Sequence, residues 1–172
     1  HLRLAIATYK LTRVIRIGAT ISDEVVAIQG ITAGSGSACT EMRLCMIRIV
    51  DRAWAVCPMV TPTLFVDDLS AEMAAPDIKI IEQMGDFIRI VAEGIKGGGM
   101  ELSKTKSVCS ASTRKLAETL CKNWKKDDQI LIQVQQNVKS LGAGFGAGSR
   151  RNVGVQNARL AAFRRRIPKF RR

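Results

Sequence analysis

The sequence is short of histidine, of long apolar runs and, over its last quarter, of acid. Its single histidine is His1, and its five cysteines (Cys39, Cys45, Cys57, Cys109 and Cys121) form no CxxC pair. A structural zinc site needs clustered soft ligands, so this spacing argues against one. An odd cysteine count fits a disulfide framework poorly, and the thiols read as reduced and mostly packed in an intracellular protein. No apolar run approaches the roughly 18 residues of a spanning helix, so no spanning segment is expected, and the expected partners include no membrane. No charged, apolar and small-residue series at the start of this sequence reads as a secretory signal.

What is present supports one domain, or one domain with an appendage. At 172 residues and 47% hydrophobic content the chain can bury a real core. It opens on His1 rather than Met and reads as a piece of a longer chain. The net charge of +12 is unevenly placed: 17 basic and 15 acidic residues precede Gln129, and 10 basic residues with no acid follow from there. Eight of those ten are arginines, including Arg150, Arg151, Arg159, Arg164, Arg165 and Arg166. Neutralised phosphates release counterions, and the guanidinium fork matches phosphate geometry, so the tail suits a polyanion. Charge alone does not separate DNA from RNA, or either from an anionic membrane, and a solvated tail with no specific partner is the plainer alternative.

The apolar pattern predicts a helix over 2–17, with Leu4, Ala7, Leu11, Val14 and Ile15 on one face and Gly18 as its stop. Strand segments around a turn at Ser22-Asp23 follow. Ser37 is placed to cap a helix running to about Ala55, with Ala38, Met42, Cys45, Ile49 and Ala53 inward. Another helix begins at Pro76-Asp77, carries Ile78, Ile81, Ile88, Val91 and Ile95, and stops at Gly97-Gly98-Gly99. A third, from a Ser112 cap to Lys125, carries Leu116, Leu120 and Trp124. Strands are expected within 100–109, over Ile130–Val134 and over Val138–Leu141, and Gly142, Gly144, Gly146 and Gly148 read as a flexible joint. Trp54 and Trp124 are expected in the core, while Phe163 and Phe170 either stack on bases or pack. The order indicates an α+β domain, a small antiparallel sheet backed by helices, with a basic helical C-terminal extension.

Residues 63–69 read TLFVDDL, two adjacent carboxylates at the end of an apolar run. Successive strand residues point to opposite faces, so Asp67 and Asp68 cannot both serve one ion from a flat strand. At a hairpin tip the pleat is broken and both can. Hard cations such as magnesium or manganese want oxygen ligands, and two-metal phosphoryl transfer needs several converging carboxylates. An isolated acid pair would otherwise read as an exposed turn.

The pair is not isolated. LFVDDLS resembles the catalytic hairpin of reverse transcriptases, and three further segments follow the family's order. Gln29-Gly30 with Ala33-Gly34-Ser35 resembles the nucleotide and template pocket loop. Gly99 to Lys106, containing Lys104-Thr105, resembles the segment supporting the palm, and Val138-Lys139-Ser140-Leu141-Gly142 is similar to the primer-grip hairpin. Together they span residues 29–142, about two-thirds of the chain, with the flavour of non-LTR or intron-encoded retroelement enzymes.

The resemblance implies a polymerase palm-like domain over 1–148 and a basic tail over 149–172 that starts a thumb. It implies RNA-directed DNA polymerisation, with RNA template, DNA primer and dNTPs as partners and Mg2+ or Mn2+ as cofactor. Asp67 and Asp68 would be catalytic metal ligands. Gln29, Gly30, Gly34, Ser35 and Lys104 would line the nucleotide and template pocket. Lys139, Leu141 and Gly142 would grip the primer, and the tail arginines would hold the backbone. The family's upstream strand supplies another essential aspartate; only 28 residues precede Gln29 here, and their sole Asp is Asp23, in the wrong context. The usual loop proline is missing, Ser35 falls one place late, and the asparagine common before the lysine is absent. The fingers and first metal-binding strand are therefore expected to be missing, and the chain alone to be inactive. Two alternatives stay open: a catalytically inactive retroelement relic that binds nucleic acid through its basic tail, and an unrelated basic interaction domain.

Overall fold

The computed structural model describes residues 7, 9–26, 31, 36–140, 143–146 and 153–170. Its elements are β1 (Arg16–Ile17), β2 (Thr20–Ile21), α1 (Ala38–Val56), β3 (Thr61–Phe65), β4 (Asp68–Glu72) and α2 (Asp77–Gly97), then β5 (Val108–Cys109), α3 (Arg114–Asp127), β6 (Gln133–Val134), β7 (Asn137–Ser140), β8 (Ala143–Gly146) and α4 (Gly154–Phe170). The class is α+β. Instead of one antiparallel sheet, the described strands form four separate pairs. Three are antiparallel; β5 and β6 run parallel because α3 carries the chain back between them, the crossover that parallel pairing requires. Among the described residues no helix is long and apolar enough to cross a membrane.

The core is organised around α2, which is apolar on two sides. Phe87, Val91 and Ile95 pack with Met46 and Ala53 of α1 and with Cys57 and Val60 beyond it, and the inner side of β3–β4 lies against this cluster through Leu64, Leu69 and Ala71. Ile80, Ile81 and Ala92 pack instead against Leu116, Leu120 and Trp124 of α3 and against Ile130. Full burial of a side chain such as Phe87 contributes about 2–3 kcal/mol. The helices approach closely at Gly94, where an added Cβ would lie 2.5 Å from Ile49 Cγ2. A salt bridge closes the second cluster. Arg89 donates from Nε to Asp128 Oδ1 at 2.9 Å and from Nη1 to Asp86 Oδ1 at 2.8 Å, and the Asp128 bond is the main cause that pushes its pKa up.

Several expected elements differ. The helix expected to reach residue 17 gives way to a hairpin: β1 pairs with β2, and Arg13 bridges Val25. Val14, Ile15, Ile17 and Ile21 are β-branched and favour extended backbone, and Gly18, at φ 63, forms the turn itself instead of stopping a helix. The turn thus lies at Gly18-Ala19 and not at Ser22-Asp23. Ser37 occupies the cap position of α1 without a side-chain capping bond. Ala53 is buried in α1 and Met42 and Ile49 pack against the core as expected, but the stripe also takes in Met46 and Val50, and Cys45 is exposed. Thr113, not Ser112, caps α3, its Oγ1 accepting from the Leu116 amide at 3.2 Å. Trp54 is 52% exposed, whereas Trp124 is buried, and Ile78, in the first turn of α2, is 79% exposed. Gly144 and Gly146, expected in a flexible joint, sit in β8 opposite Lys139 and Asn137; Gly142 and Gly148 lie outside the described residues.

Candidate carboxylate hairpin

Strands β3 and β4 pair in a register that sets Phe65 opposite Asp68 and leaves Val66 and Asp67 as a two-residue loop. Two-residue loops are the tight hairpin connections, and they demand positive φ at the first loop position or at both. Val66 has φ 58, a conformation glycine or asparagine adopts easily and a β-branched residue does not. The strain is tolerated because the strands on either side are held down: Leu64, Leu69 and Ala71 are on the face that packs against the Phe87 cluster.

The opposite face carries Thr61, Thr63, Phe65, Asp68, Ser70 and Glu72, following the two-residue period. Asp68 opens β4 on this outward face, while Asp67 is in the loop, so the pleat is interrupted between them. Both are exposed. Two hard oxygen donors on an open tip suit magnesium or manganese by type. Their number does not complete a site: among the described residues no group of three or more His, Cys, Asp or Glu comes together to hold a metal ion.

The other expected site residues are dispersed. Gln29, Gly30, Gly34, Ser35, Leu141, Gly142, Arg150 and Arg151 lie outside the described residues. Lys104 is in a turn stabilised by Ser103, whose Oγ accepts from the Lys106 amide at 3.2 Å. It lines an open groove of about 460 Å³ with Lys122, Lys125 and the Ile130–Gln133 segment, and neither aspartate is in that lining. Lys139 belongs to the β7–β8 hairpin, paired with Gly144. Arg159, Arg164, Arg165 and Arg166 are exposed on α4, which contacts both strands of that hairpin.

Two features were not anticipated. Phe65, 58% exposed, stands directly across from Asp68, and the two-residue period would have placed it there once the loop length was known. Cys109 of β5 and Cys121 of α3 share a hydrogen bond that raises the Cys109 thiol pKa and lowers that of Cys121, and burial pushes Cys109 up further. No sequence signal joins these two, because their approach depends on α3 packing against the β5–β6 pair. Compared with known proteins, the chain matches no family model, no curated protein and no solved structure.

Proposed function

We propose that the chain is part of the palm of a retroelement reverse transcriptase, contributing Asp67 and Asp68 to nucleotidyl transfer onto a primer 3′-hydroxyl. The observation that carries this reading is the position of the twin acids at the tip of a tight hairpin, one side of which is anchored on the core while the other is open. Asp67 and Asp68 would hold Mg2+ or Mn2+ through their carboxylate oxygens. Bound there, the metal supplies charge stabilisation to phosphoryl transfer between dNTP and primer. Phe65, beside Asp68, offers an apolar surface to the primer end. Further supports are the β7–β8 hairpin, which falls on the segment similar to a primer grip, and the exposed arginines of α4, suited to the phosphates of an RNA template paired with a DNA primer.

Two carboxylates are too few for a two-metal site, so the reaction needs a third from outside the described residues. The 172-residue chain is expected to hold primer–template without extending it. In a longer chain that supplies the third acid, Asp67→Ala is expected to reduce extension below detection in magnesium. Primer-extension gels with labelled dNTP decide this: incorporation by the isolated chain, or full activity of the Asp67→Ala variant, would sink the assignment.

The incomplete carboxylate set also favours a second reading, an inactive relic that grips nucleic acid through its C-terminal basic residues. Salt-sensitive binding of primer–template with no effect of magnesium on thermal stability would select it, since a ligand bound only by the folded state raises apparent stability.

A further inference from the structure

The groove that holds Lys104 contains neither of the two aspartates and needs its own account. Leu120 and Trp124 of α3 turn inward, and this places Lys122 and Lys125 on the outer side, where they form a rim with Lys104. Gln133 Nε2 donates to the Lys104 carbonyl at 3.5 Å and ties that turn to β6. Between the lysines lie Cys121, Ile130, Leu131 and Ile132, with Leu131 43% exposed. The lining residues include no carboxylate, and no ion pair engages the three lysines among the described residues. Exposed cations that are not neutralised locally are available to an anion.

We propose that this groove binds single-stranded nucleic acid, with phosphates on Lys104, Lys122 and Lys125 and an unpaired base against Leu131 and Ile132. An apolar floor under a cationic rim matches a polymer that carries one negative charge and one flat apolar face per unit. In a duplex those faces are stacked away, and an acidic peptide has no such face at each charge. The inference rests on the nucleic-acid reading of the chain but not on the carboxylate hairpin.

The test is fluorescence anisotropy of the full chain with a labelled oligothymidylate, in EDTA, over a series of sodium chloride concentrations. The Lys122→Glu/Lys125→Glu variant is expected to weaken binding about tenfold or more and to flatten the log–log salt slope by about 1.4, two contacts at roughly 0.7 each. Lys79→Glu/Lys96→Glu, the same charge change at exposed lysines of α2, is expected to change affinity less than about threefold. Leu131→Ser is expected to weaken oligothymidylate binding about fivefold, the loss of a few tens of Å² of buried apolar surface, while leaving heparin binding unchanged. Thermal melts verify folding, and Lys122→Gln/Lys125→Gln replaces the charge-reversed pair if it fails to fold. Equal weakening by the groove and α2 pairs would overturn the proposal, as would polyglutamate competing as well as oligothymidylate at equal charge. Because Asp67 and Asp68 are untouched and no divalent ion is present, either result leaves the test of the carboxylate hairpin independent.

Discussion

Two hairpins in this molecule solve the same turn with different residues. β1–β2 and β3–β4 both close through two-residue loops with positive φ at the first loop position, Gly18 at 63 in one and Val66 at 58 in the other. In the first, glycine accepts the conformation without steric cost. Its strands are two residues long and exposed, with Ile17 at 78% and Ile21 at 59%. In the second the cost is carried by a β-branched residue, and five paired positions with one packed face hold it in place. Strain persists where surrounding structure over-determines it, which is how functional turns are commonly built. The strained turn is the one that bears the two aspartates.

That contrast can be tested at its support, its contacts and its turns. Phe87→Ala should have the largest effect, about 3–5 kcal/mol of lost stability in urea unfolding, by opening a cavity beneath β3–β4. Hydrogen exchange should then accelerate in β3–β4 and stay unchanged in β1–β2. Equal acceleration in both would break the comparison. Gly94→Ala should cost about 1–3 kcal/mol, because Ile49 is β-branched and cannot swing clear of the new methyl. Gly18→Val should cost about 1–2 kcal/mol, reproducing the strain of Val66 where nothing holds it. Val66→Gly should raise stability by about 0.5–1 kcal/mol, the relieved strain less the added freedom of the unfolded chain. If Val66→Gly destabilises, the turn is not strained.

Much of this was legible in the chain. The inward residues of α3, Leu116, Leu120 and Trp124, follow a helical period interrupted by lysines, and they are buried. The hairpin at the twin acids was readable because adjacent like charges fit a tip and not a ladder. The turn's strain was not, since no local signal marks a valine for positive φ; only tertiary packing imposes it. The N-terminal segment was misread because Leu4, Ala7, Leu11, Val14 and Ile15 fit a helical face while the β-branched run over 14–17 pulled towards strand, and Gly18 serves equally as helix stop or hairpin turn. Phe87, at the centre of the first cluster, was overlooked because isoleucines dominate the pattern of α2 and two of its sides are apolar. The parallel pairing of β5 with β6 is set by α3 between them, and two-residue strands carry too little periodicity to announce it.

The claim on which the functional reading depends is that the Val66–Leu69 tip is where a divalent cation meets this chain. Substoichiometric Mn2+ titrated into isotopically labelled protein reads this through paramagnetic broadening of amide signals. The account predicts that Val66, Asp67, Asp68 and Leu69 broaden first, and that Asp67→Asn/Asp68→Asn abolishes the effect there. Broadening spread over the acidic residues generally, or centred on Asp86 and Asp128, would contradict it.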